Sequence, residues 1–224
     1  MVVRSLYRTA ILSVAVVSTF LTSHTQTHVG ATQNDPATEF IDTSLLRPPQ
    51  GVNVAVIEWE DMECPFCAKA FPLVHAAVKS RHVTLVERDF LIASHAWSPD
   101  AALYSRYLHD KESPDLAAEY RREIFASQSA ISSKDDLLEM TRRFFAKNGK
   151  QIPLIVDPNG QLKKEISFDV ELGNKVGLRH TPTIVVATPT HWTEVLDPTQ
   201  IDQVIADAQR SVDRGSNGKE SAVK

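Results

Sequence analysis

The sequence predicts an α/β fold: a central mixed β-sheet flanked by helices, with an inserted α-helical subdomain. Three observations lead there. Apolar, β-branched runs of strand length occur at residues 52–59, 83–90 and 183–187, and such runs suit strands buried on both faces. Segments with helical spacing of apolar residues alternate with them. Between the second and third runs lies a long helical region, residues 99–147.

Each element can be justified in chain order. Residues 33–39 read as a polar linker. Phe40 to Gln50 is irregular, because Pro48-Pro49 stops any helix. Val52 to Trp59 is the first strand. A helix begins at Cys64 to Cys67, where Ala68, Phe71, Val74, His75 and Val78 share helical spacing and Pro72 predicts a kink. Val83 to Phe90 is the second strand. The helical region holds three segments, Ala101 to Leu108, Leu116 to Phe125 and Asp135 to Phe145. Ser98 before Pro99, and Ser133 before Asp135-Asp136, are helix-start signals, and Asn148-Gly149 ends the last segment. Gln161 to Val176 is a further helix, with Gly173 and Gly177 weakening its end. Thr183 to Ala187 and His191 to Leu196 are strands joined through a turn containing Pro189. Thr199 to Val212 is amphipathic, with Ile201, Val204, Ile205 and Ala208 on one face. The polar tail, residues 213–224, is expected to be disordered. The sheet domain therefore divides into residues 34–94 and 149–212, split by a helical subdomain at 95–148.

Residues 1–33 have a different character. Arg4 and Arg8 precede an uncharged, mostly apolar run from Ala10 to Leu21, followed by a polar stretch. That is the layout of a secretory signal. The apolar run has about a dozen residues, against roughly 20 for a membrane-spanning helix. Cleavage is expected between Ser23 and Gln33, with Val29-Gly30-Ala31 a weak candidate site; retention as an N-terminal membrane anchor is the alternative. Either way the rest of the chain is expected in the periplasm or another extracytoplasmic compartment. A net charge of −4 gives no reason to expect nucleic acid as a partner.

Only two cysteines exist, Cys64 and Cys67. Export puts them where disulfides persist. A bridge across two residues removes little unfolded-state entropy, so the pair is a poor staple and favours a redox role. C-x-x-C at a helix start suits thiol exchange, since the first sulfur faces unpaired backbone N–H groups that stabilise its thiolate. Cys64 is the expected exposed nucleophile, and Cys67, one turn deeper, the resolving thiol. Pro65 presets the first turn. Half of a zinc site is the competing reading, but no second ligand pair exists; haem attachment would need His where Ala68 stands. No metal and no cofactor beyond a redox-active Cys64–Cys67 disulfide is expected.

The segment Glu58-Trp59-Glu60-Asp61-Met62-Glu63-Cys64-Pro65-Phe66-Cys67 resembles the active-site segment of the DsbA-like thioredoxin-fold disulfide oxidoreductases. Gly177 to Val186, containing Thr181-Pro182-Thr183, resembles the strand entry of the same fold. Without the helical region, the element order is that of thioredoxin, and the long stretch between Cys67 and Pro182 matches the family's insert. The resemblance implies that Pro182 is cis and packs against the cysteines, the alternative being a trans proline at a strand start. It also implies that Glu58, a partly buried acid, helps move the proton of Cys67; a solvent-facing strand residue is the alternative. Glu60, Asp61 and Glu63 are expected to be solvated, with Glu63 opposing the Cys64 thiolate slightly. His95, near the insert's entry, is expected to cap or pack. The expected catalytic residues are thus Cys64, Cys67, Glu58 and Pro182. Pro65, Phe66 and Thr181 are the expected substrate contacts, Thr181 through strand addition by an extended substrate.

The leading expectation is a dithiol oxidase that acts on reduced or misoxidised exported proteins and is reoxidised by a membrane redox partner, working as a monomer. Phe66 supplies no charge or hydrogen bond to Cys64, where a His could, so the oxidising power is expected to be restrained. An exported reductase or isomerase, and a non-catalytic binding or chaperone module, are the alternatives.

Overall fold

The computed structural model describes residues 27–29 and 39–221, with side chains from 39 to 214. The expected signal segment and its candidate cleavage sites lie outside them, apart from Thr27–Val29. That tripeptide forms strand β1, an edge of the sheet, which pairs in parallel with residues Trp192–Val195. The remaining elements follow the expected order: β2 (Ala55–Glu60), α1 (Pro65–Arg81), β3 (Thr84–Asp89), α2 (Ser98–Lys111), α3 (Pro114–Ala126), α4 (Lys134–Lys147), α5 (Gln161–Val176), β4 (Thr183–Ala187), β5 (Trp192–Val195) and α6 (Ile201–Ser221). The sheet order is β1-β5-β4-β2-β3. β2 runs parallel to β3 and antiparallel to β4, so the sheet is mixed with β2 inside it.

Strand alternation sorts the core into two layers. Val54 and Val56 pack with Ala70 and Val74 of α1 and with Val204 and Ile205 of α6. Ile57 and Trp59 face the opposite way, onto Phe90, Val176 and Leu178 beside α5. Helices therefore cover both faces, as a sheet of buried strands requires. Gly173 has a packing reason as well as a helix-weakening one: a Cβ there would sit 2.5 Å from the Phe90 ring. Gly177 takes a left-handed conformation (φ 90°) and closes α5.

The insert α2–α4 builds its own core from Trp97, Leu108, Tyr120, Ile124, Phe144 and Phe145. That core is continuous with Cys64, Cys67 and Phe71 of α1, so the insert is the wall against which the cysteines pack. Ser133 caps α4 as expected, accepting from Asp136 N–H. Ser113 caps α3 by the same device. α1 continues as helix through Pro72.

One boundary differs. α6 continues past Val212 through Ser221, within the stretch expected to be a disordered tail. Ile201, Val204, Ile205 and Ala206 anchor its start by burial, and extending a nucleated helix adds one hydrogen bond for each residue fixed.

Candidate active site

Cys64 is the N-cap of α1, with extended backbone (φ −76°, ψ 122°) and Pro65 at the first helical positions. Proline fits there because that N–H would have no helical partner. Cys67 lies one turn on and is fully buried. Both are free thiols. Cys64 is not the exposed sulfur expected from the sequence: only 5% of it meets solvent. The insert packs against it on one side and the Thr181-Pro182 turn on the other. Phe66, between the cysteines, is the residue that projects into solvent, 65% exposed.

The Thr181–Pro182 peptide is cis, and the Thr181 carbonyl accepts from the Cys64 thiol at 3.3 Å. This turn enters β4, which pairs with β2, the strand that leads into the cysteine loop. Two segments far apart in sequence thus meet through one strand pair. The loop is also fastened from the insert: Gln128 Nε2 donates to the carbonyls of Met62 (2.8 Å) and Cys64 (3.0 Å).

The sulfurs differ in acidity. The Cys64 thiol is pulled down to about 5 by the Cys67 thiol first, then by Thr181 and the backbone N–H groups of Cys67 and Phe66, with burial opposing. These N–H groups are the helix-start donors that stabilise a thiolate. The Cys67 thiol is pushed well above its ordinary value by burial first, then by Cys64 and the Glu60 charge. One thiolate is favoured at neutral pH, and it is Cys64.

Glu58 is fully buried with no hydrogen-bond partner on either carboxyl oxygen. Burial, with Glu87 adding and Arg121 opposing, raises it to about 8. Glu60 and Asp61 are buried as well, against the expectation that both are solvated. The reason is compensation from elsewhere in the chain. Arg121 of α3 donates to Glu60 Oε1 and to Asp89 Oδ1, both at 2.8 Å. Arg106 of α2 bonds Asp89 (2.9 Å) and Asp169, and Arg88 bonds Asp169 at 2.6 Å. Burial disfavours the Arg121 charge, yet Asp89 and Glu60 hold it firmly protonated. Asp61 Oδ1 accepts from Glu63 N–H, and its Oδ2 accepts from Ile92 N–H and lies 3.0 Å from His95 Nδ1. His95 therefore braces the strand exit. Glu63 is half-buried, and its Oε2 caps α2 by accepting from the N–H groups of Trp97 (2.7 Å) and Ser98 (3.0 Å).

Sequence reasoning missed Arg121, Gln128 and the burial of Glu60. Arg121 and Gln128 carry no local signal. Glu60 did: strand parity puts it on the same face as Glu58, so burial of one implies burial of the other.

Beside the sulfurs runs a groove of about 530 Å³, lined by Phe66, Leu73, Thr181, Pro182, Ile184 and Val195 among others. Lys69 Nζ sits 5.5 Å from the centre of the Phe66 ring. The groove is apolar-walled and open, and the backbone near Thr181 stands at its edge, which suits an extended peptide.

Comparison with known proteins agrees with this architecture. The family model described as Thioredoxin matches residues 51–207. No curated protein matches the sequence. Among solved structures, a single-substitution variant of α-DsbA1 from Wolbachia pipientis is similar with a TM-score of 0.60 at 14% identity, covering 76% of this chain and 96% of that one. BdbD from Bacillus subtilis, in its oxidised form, gives a TM-score of 0.59 at 18% identity over 80% of this chain and 100% of that one. The oxidoreductase NmDsbA1 from N. meningitidis gives 0.53 at 17% identity over 76% and 89%. With the mixed sheet, the helical insert, the helix-start cysteine pair and the cis-proline turn in hand, the chain belongs to the thioredoxin family and has the DsbA-like form of its fold.

Proposed function

We propose that this protein is an exported thiol–disulfide oxidase that passes a Cys64–Cys67 disulfide to reduced or misoxidised exported proteins and is reoxidised by a membrane redox partner. One observation carries the reading: Cys64 caps the start of α1, where unpaired backbone N–H groups lie, while Cys67 is fully buried one turn on, an arrangement that pulls the Cys64 thiol down to about 5 and pushes the Cys67 thiol well above its ordinary value. A stabilised Cys64 thiolate favours the reduced form, so the disulfide form is the better oxidant. It also makes Cys64 the better leaving group when a client thiolate resolves the mixed disulfide. The Thr181 and Pro182 backbone and the Phe66 groove supply a seat for an extended, apolar client segment. Export rests on the basic start and apolar run of residues 1–33.

A reductase or isomerase reading draws on Phe66, whose side chain offers Cys64 neither charge nor hydrogen bond. Refolding of reduced ribonuclease, insulin reduction and a measured redox potential separate the two. The oxidase reading expects ribonuclease reactivation that Cys64→Ser abolishes. It also expects a potential far above that of thioredoxin, which is about −270 mV. A value at the thioredoxin level would sink it.

A further inference from the structure

We infer that Lys69 is a specificity-determining residue of the groove beside the sulfurs, selecting client segments that carry a carboxylate close to their reacting cysteine. The inference rests on the thiol–disulfide reading above and names the chemistry of its client. Phe66, Lys69, Ala70 and Leu73 line the groove from α1. Their spacing is helical, so they share one face of that helix. Ala70 is buried, whereas Phe66, Lys69 and Leu73 are exposed. Ala70 is therefore the floor on this side, and the three longer side chains are the wall. The opposite wall comes from Pro182 and Ile184 at the entry to β4, and from Val195 and Leu196 at the end of β5.

The groove's charge is one-sided. Lys69 and His180 are its titratable lining residues, and no acidic side chain lines it. His180 is engaged with the protein: Nδ1 lies 3.2 Å from the Pro182 carbonyl oxygen, and Nε2 lies 4.0 Å from the buried Glu194 carboxylate. The nearby carboxylates are occupied elsewhere. Asp197, between Leu196 and Pro198, accepts from the Thr199 N–H (3.0 Å) and hydroxyl (2.7 Å). Glu63, before Cys64, caps α2. Lys69 pairs with no carboxylate among the described residues, and its ammonium stands 5.5 Å from the centre of the Phe66 ring. A cation over an aromatic face is held in place without being neutralised. A carboxylate supplied by the client is the complement that this side of the groove lacks.

Helix and strand geometry place that carboxylate. From Cys64 to Lys69 the helix rises about 7–8 Å. An extended client advances about 3.3 Å per residue, so a chain joined to Cys64 through its cysteine passes Lys69 about two or three residues on. The Phe66 ring accepts any apolar side chain on the way. Charge is therefore the element of client sequence that Lys69 reads. An exposed ion pair favours one partner over its neutral counterpart by at most about fivefold, and salt weakens it.

The test mixes the oxidised full chain with reduced peptides that hold two cysteines among apolar residues. The peptides differ only in Glu or Gln about two or three residues from the first cysteine, on either side. A peptide thiolate attacks Cys64 Sγ and leaves the electron pair of the broken bond on Cys67 Sγ. The second peptide thiolate then closes the peptide disulfide and expels Cys64 as thiolate. The readout is the ratio of the Glu to the Gln peptide's rate constant per thiolate, taken within each variant so that a general change in rate cancels. The wild type is expected to favour the Glu peptide about threefold at low salt, with the ratio falling towards one at high salt. Lys69→Gln is expected to bring the ratio to one, Lys69→Glu to invert it, and Lys69→Arg to keep it. A wild-type ratio retained in Lys69→Gln overturns the assignment, and its loss in His180→Gln instead would move the selection to His180. Equal oxidation of both peptides by the wild type sinks only this inference, whereas a wild type that oxidises neither sinks the functional reading beneath it.

Discussion

Cys64 and Cys67 stand one helical turn apart, yet their surroundings pull their protons in opposite directions. Cys64 sits where α1 begins, among backbone donors with a carbonyl turn beside it. Cys67 sits on the buried side of the first turn of α1, where burial first, then Cys64 and the Glu60 charge, oppose its ionisation. The first environment is mostly short-range: the Cys67 thiol one turn on comes first, and the helix-start N–H groups add to it beside the Thr181 turn. The second needs a strand, two insert helices and a salt-bridge network assembled from across the chain. Two identical side chains thus become chemically distinct through one short-range effect and one long-range effect.

Substitutions can break that contrast, and the largest effect is expected at the sulfurs themselves. Cys64→Ser should abolish exchange, whereas Cys67→Ser should still attack and accumulate a stable mixed disulfide, visible by mass spectrometry. Next comes the acid layer. Arg121→Met leaves Glu60 without its cation and Asp89 with Arg106 alone, and should cost about 3–5 kcal/mol in urea unfolding. It should spare the Cys64 thiolate far more than it perturbs Cys67.

Smaller changes sharpen the same contrast on the Cys64 side. Its folded value lies below the ordinary thiol value of 9.0, at about 5. The thiolate therefore stabilises the reduced fold fully above the ordinary value, and this contribution is lost as pH falls through about 5. Urea unfolding of the reduced protein across that window should show the decline, and Cys64→Ser should lack it. Phe66→His adds a donor or charge beside Cys64 and should make the potential more oxidising, on the order of 30 mV for each tenfold gain in the reduced form. Gln128→Ala removes one side chain that spans two loop carbonyls, and should cost about 1 kcal/mol in thermal unfolding.

Much of this architecture was legible in the sequence. β2, α1, β3 and β4 declared themselves by apolar runs and helical spacing, because burial on both faces leaves few alternatives. Ser133 announced α4 through local chemistry. The start of α2 was less legible. Ser98 begins that helix, but Trp97 is the cap position, and the capping oxygen belongs to Glu63, distant in sequence. The acid layer was hidden for the same reason. A glutamate reads as solvated unless a cation is known to face it, and Arg121 comes from the insert, whose docking no local pattern reveals. Strand parity alone pointed at Glu60.

Phe66 has a consequence for selectivity. Its ring stands in solvent at the rim of the groove, with an ammonium above it. An apolar contact is non-directional, and one methylene more or less changes it by only about 1–3 kcal/mol. Such a rim discriminates weakly between side chains and strongly between chains that expose apolar residues and chains that have already buried them. For the exported clients proposed above, a single unshielded ring would favour choice by folding state rather than by sequence.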